Sequence, residues 1–67
     1  MNKGNLQGRE VIFEFHQLGQ FVKVTAMDTA SLTEISIQGP ASTPQPILET
    51  NALRRLEYVL KKNGVIS

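Results

Sequence analysis

Residues 10–16 alternate along the chain, with Val11, Phe13 and Phe15 on one side and Glu10, Ile12, Glu14 and His16 on the other. A period of two over this length predicts a half-buried strand. Gly19 marks a turn, and residues 21–28 alternate again, with Val22, Val24 and Ala26 opposed to Phe21, Lys23, Thr25 and Met27. A two- or four-residue connection around Gly19 keeps Phe13 and Phe15 on the face of Val22, Val24 and Ala26, because either choice preserves the parity of the pairing. One of these registers sets Glu14 opposite Lys23.

Residues 29–32 suit a four-residue hairpin loop, after which residues 33–38 alternate with Ile35 and Ile37 on one side. Pairing Ala26 with Ile35 and Val24 with Ile37 keeps every apolar residue on the shared face, so the three strands read as one antiparallel meander. Gly39-Pro40 ends the third strand, and Pro44 and Pro46 in a Ser, Thr and Gln stretch predict a loop over residues 41–45, with Pro46 also compatible with a first helical turn. From about Thr50 the period changes. Ala52, Leu53, Leu56, Val59 and Leu60 fall within about 120° of one another on a helical wheel. Thr50 or Asn51 would cap this amphipathic helix, Lys61 and Lys62 favour its dipole, and Gly64 would stop it.

The expected fold is therefore α+β: a three-stranded antiparallel β-meander followed by one C-terminal α-helix packed on one face. Its expected core is Val11, Phe13, Phe15, Val22, Val24, Ala26, Ile35, Ile37, Leu53, Leu56, Val59 and Leu60. Residues 1–8 read as a flexible tail, 9–64 as the domain and 65–67 as a second tail.

Length changes the picture. At 67 residues the chain holds one core, and size excludes large dinucleotide or pyridoxal-phosphate enzymes. Cysteine is absent, which removes disulfides, thiolate zinc sites and thiol nucleophiles, and suits a reducing compartment. Residues 1–8 contain no apolar run of signal-peptide length and no segment is long and apolar enough to span a membrane, so a cytoplasmic location is expected. A core this small barely offsets chain entropy, and without disulfides or a metal the remaining common device is self-association. A homo-oligomer, with a dimer favoured, is the expectation.

Residues 10–16, the run Val22-Lys23-Val24-Thr25-Ala26, Gly39-Pro40, and Leu-Arg-Arg-Leu-Glu-Tyr-Val-Leu-Lys-Lys at residues 53–62 together resemble a family of short uncharacterised bacterial proteins, chiefly alphaproteobacterial. The resemblance covers about residues 9–64 and implies no activity, cofactor or site residue.

Candidate chemistry is sparse. His16 is the only histidine, and no cofactor or metal set accompanies it. Ser36 and Asp28 lie on other strands, and a small open sheet gives such a group no enclosed geometry. Glu10 and Glu14 would stand roughly 13 Å apart along a strand, too far to share a proton. No catalysis is expected.

The helix carries more. Tyr58 lies opposite the apolar stripe, ringed by Arg54, Arg55, Lys61 and Lys62 at its i−4, i−3, i+3 and i+4 positions. Such a face is a solvated surface whose long stems cover the ring, a protein contact, or a platform for single-stranded nucleic acid. With a net charge of +1 the chain has no strong field for nucleic acid. Residues 9–38 carry net −2 and residues 49–62 net +2, an acidic sheet against a basic helix. Finally, Ile12, Phe21 and Met27 interrupt the polar face of the sheet, and the first strand lacks the Lys or Pro that guards an edge. These three residues are the candidate oligomer contact. The leading expectation is a non-catalytic interaction or scaffolding module, and the alternative is single-stranded nucleic-acid binding through the Tyr58 face.

Overall fold

The computed structural model describes Leu6 and residues 8–67. Strands β1 (Val11–Leu18), β2 (Phe21–Asp28) and β3 (Thr33–Pro40) form one antiparallel sheet in the order β1-β2-β3, followed by helix α1 (Gln45–Lys62). This is the βββα meander that the alternation predicts.

Gly19 and Gln20 connect β1 to β2. Gly19 has a φ of +63° while Gln20 does not have a positive φ, so the turn takes the form with glycine first that matches strand twist. Leu18 then faces Phe21, Phe15 faces Val24 and Phe13 faces Ala26. In this register Glu14 lies opposite Thr25, and Lys23 lies opposite His16. The alternative Glu14–Lys23 pairing would need a connection one residue earlier, which would move Gly19 out of the first turn position. The second hairpin closes as expected over residues 29–32, with Ala26 opposite Ile35 and Val24 opposite Ile37. Leu32 there adopts a left-handed φ of 61° and donates its N–H to the Asp28 carbonyl at 2.7 Å.

The helix begins about five residues before the expected start. Pro44 occupies the cap position and Pro46 lies in the first turn, where its missing N–H has no helical partner to lose. The Pro44 carbonyl accepts from the N–H groups of Ile47 and Leu48 at 3.0 and 3.3 Å. Neither Thr50 nor Asn51 caps the helix: Thr50 sits inside it and its hydroxyl donates to the Pro46 carbonyl at 2.9 Å. The C-terminus ends at Gly64 as expected, with Gly64 N–H donating to Lys61 and Val65 N–H to Leu60.

The extra helical turn brings Leu48 into the core. Leu48 Cδ2 would stand 2.9 Å from a Cβ at position 39, so Gly39 is what lets the helix start approach β3 this closely. The fully enclosed core comprises Leu6, Val24, Ala26, Leu48, Ala52, Leu53, Leu56 and Leu60, with Val11, Phe13, Phe15, Val22, Ile35, Ile37 and Ile66 partly buried around it. Val59, expected inside, is also only half-buried. The reason is geometric. A helix is about 10 Å wide and strands are about 4.8 Å apart, so one helix covers two strands. Here α1 packs on β2 and β3, and the inner face of β1 is left half-covered.

The tail assigned to residues 1–8 falls mostly outside the described residues; within it, Leu6 is 1% exposed and belongs to the core. At the other end Ile66 packs on that core as well.

Candidate functional site

The outer face of the sheet, away from the helix, is built as four cross-strand rows. Ile12, Met27 and Glu34 form one end; Glu14, Thr25 and Ser36, then His16, Lys23 and Gln38, form the middle; Leu18, Phe21 and Pro40 form the other end. Of the three candidate contact residues, Ile12 and Met27 meet directly across β1 and β2. Phe21 lies at the opposite end of β2, roughly 20 Å away at the rise of a strand, beside Leu18. Both Phe21 and Leu18 are 53% exposed and Ile12 is 45% exposed. Leu18 was legible as the continuation of the β1 alternation one step past His16. The polar middle is tied together by the Thr25 and Ser36 hydroxyls, 3.0 Å apart.

His16 is exposed on β1 and faces Lys23. Ser36 shares its face, two strands away, but Asp28 lies on the inner face, so the structure does not gather a Ser, His and Asp group. Among the described residues no three His, Cys, Asp or Glu side chains converge as a metal site, and no helix is long and apolar enough to cross a membrane.

Asp28 has a different task. It is fully enclosed and takes both Nε and Nη2 of Arg9, at 3.0 and 2.9 Å, and both the amide and the hydroxyl of Ser31, at 3.1 and 2.6 Å. The Arg9 hydrogen bonds hold its carboxyl at about 2, below the ordinary 3.8, against the opposing cost of burial, with Ser31 adding to the effect. Asp28 closes the second hairpin and clamps the chain entering β1 to it. The signal for this residue was its parity, since it follows Val22, Val24 and Ala26 on the apolar face and an acid there needs a partner.

On the helix, Arg54, Arg55, Tyr58, Lys61 and Lys62 are all exposed, as the wheel predicts. The Arg55 guanidinium lies over the Tyr58 ring, 5.4 Å from its centroid, and Lys61 pairs with Glu57 at 3.5 Å. One ring face and two of the four cations are therefore engaged within the helix itself.

Beside the half-covered part of β1, a groove of about 340 Å³ is lined by Phe15, Gln17 and Val22 of the sheet and Thr43, Gln45 and Leu48 at and just before the helix start. Among the described residues that line it there is no charged group.

No curated protein and no solved structure matches the chain. Residues 8–63 match the family described as Domain of unknown function (DUF6898), which spans the whole sheet and the helix, and the chain belongs to that family of uncharacterised proteins.

Proposed function

We propose that this chain is a small, non-catalytic, cytoplasmic interaction module that works as a homodimer. The observation that carries the reading is the unfinished β1 side. There an edge strand without Lys or Pro meets a half-covered inner face holding Phe13 and Phe15 and an outer face exposing Ile12 and Leu18. A second copy supplies cover that one helix is too narrow to provide. The cysteine-free composition supports the cytoplasmic assignment.

Sedimentation or light scattering at micromolar concentration tests the reading: a mass of two chains is expected, and 7.4 kDa would overturn it. Ile12→Asp is expected to shift the mass toward one chain, and an unchanged mass removes Ile12 from the interface. Single-stranded nucleic acid on the Tyr58 face competes as a function, but Arg55 on the ring and Lys61 on Glu57 reduce what that face can offer a base or phosphate. Fluorescence anisotropy with short oligonucleotides at low salt is expected to show no binding, and a salt-dependent shift would restore that reading.

A further inference from the structure

The two edges of the sheet present their backbones with a defined direction. Thr29 N–H donates to the Glu10 carbonyl at 3.1 Å, so Glu10 faces β2. Alternation turns Ile12, Glu14, His16 and Leu18 the same way, and directs the N–H and C=O groups of Val11, Phe13, Phe15 and Gln17 to the open edge. At the far edge, Ala41 N–H donates to the Gln20 carbonyl at 2.8 Å, and the same alternation sends Glu34, Ser36, Gln38 and Pro40 outward. Pro40 has no N–H to give an added strand, so that edge is blocked at its end. Among the described residues nothing pairs with the open edge of β1.

A two-fold pairing of β1 with itself must match residues of equal parity, or the apolar face would turn to the wrong side. Four centres pair five or more residues of the strand. Centred on Glu14, two carboxylates oppose each other; centred on His16, Glu14 opposes Leu18 and only five residues pair. Centred on Phe13, Glu14 opposes Ile12, Leu18 is left over, and again five residues pair. Centred on Phe15, seven residues pair, Glu14 meets the partner's His16, Ile12 meets the partner's Leu18, and the two Phe15 rings meet on the axis at the inner face.

We infer that two copies join through β1 in the antiparallel register centred on Phe15, giving one continuous six-stranded sheet with the two helices flanking the seam. The inference rests on the self-association reading and adds to it the strand and the register. It also accounts for the two separated apolar ends of the outer face. Across the seam, Met27 and Ile12 continue into the partner's Leu18 and the partner's Phe21, so residues that lie far apart in one chain form a single stripe in the pair. The polar rows likewise run Thr25 and Glu14 into the partner's His16 and the partner's Lys23.

Cysteine cross-linking reads the register directly, because the chain has no cysteine of its own. Glu14 and the partner's His16 form a non-hydrogen-bonded pair with Cα atoms about 4.5 Å apart, within disulfide reach. Both positions are exposed, so Glu14→Cys and His16→Cys leave the core intact. Mild oxidation of the two variants mixed is expected to give several-fold more covalent dimer than either variant alone. Dominant cross-linking of Glu14→Cys alone, or of His16→Cys alone, would overturn the register. A two-chain mass with no cross-link in any sample would overturn β1 pairing while self-association stands, and a one-chain mass throughout would overturn both. As a second measurement, Glu14→Lys is expected to weaken the dimer about tenfold, and Glu14→Lys with His16→Glu to restore it; an unchanged dimer in the single variant would contradict the pairing.

Discussion

The β3 edge lies under the helix, owes its close approach to Gly39, and ends in a proline that cannot accept a further strand. The β1 edge has the same length and the same alternation, and its Phe13 and Phe15 are half-buried just as Ile35 and Ile37 are, yet the helix packs on β2 and β3 rather than on β1, and the open backbone groups of β1 carry no guard. One helix of ordinary width can finish only one side of a three-stranded sheet. In the proposed pairing, the helix-covered side that holds the fold and the side that joins a second copy lie on opposite sides of β2. Substitutions on the β3 side should act on folding at any concentration, and those on the β1 side should act on assembly.

The largest effect is expected from Leu56→Ala, which empties the centre of the closed side, where Leu56 is fully buried. A loss of about 2–5 kcal/mol by denaturant titration is expected, independent of protein concentration. Next comes the clamp that positions β1. Asp28→Ala strips Arg9 and Ser31 of their acceptor and should cost about 2–4 kcal/mol. Since the Asp28 carboxyl is lowered to about 2 from 3.8, folding favours its ionised form. Its contribution of about 2 kcal/mol is present above pH 4 and is lost as pH falls through 2. Acid titration of stability should show this loss, and Asp28→Asn should abolish that part of the pH dependence.

A smaller effect sharpens the account of the closed edge. Gly39→Ala drives a methyl against Leu48 and should destabilise by about 1 kcal/mol. In a Leu48→Ala background that cost should vanish, because the opposing methyl is gone; persistence of the cost would show that another neighbour sets it. Smallest is Tyr58→Ala on the exposed helix face, expected to change stability by no more than about 0.5 kcal/mol and to leave the solution mass unchanged.

Most of this architecture was legible in the sequence. Strand alternation carried the meander, the β2–β3 register and the split between inner and outer faces, because parity is preserved under any admissible turn length. The helix start was not, since the signals at Pro44 and Pro46 suit both a loop and a first helical turn, and only the packing of Leu48 against Gly39 decides between them. Leu6 and the Arg9–Asp28 pair were missed for another reason. Their contacts are long-range, nineteen positions in the case of Arg9 and Asp28, so parity marks Asp28 as an acid on the apolar face but no local period names its partner. Ile12, Phe21 and Met27 lie on the outer face, as their parity predicts, and the rise per residue already separates Phe21 from Met27 by roughly 20 Å along β2, so that one chain holds them as two apolar ends rather than one patch.

Hydrogen exchange at single-residue resolution, followed across protein concentration, tests the β1 edge most directly. Pairing centred on Phe15 places the amides of Phe13, Phe15 and Gln17 in hydrogen bonds to the partner. These three are therefore expected to slow as concentration rises, while Ser36 and Gln38 on the far edge stay fast. Rapid exchange at Phe13 and Phe15 at every concentration, matching Ser36 and Gln38, would contradict the account.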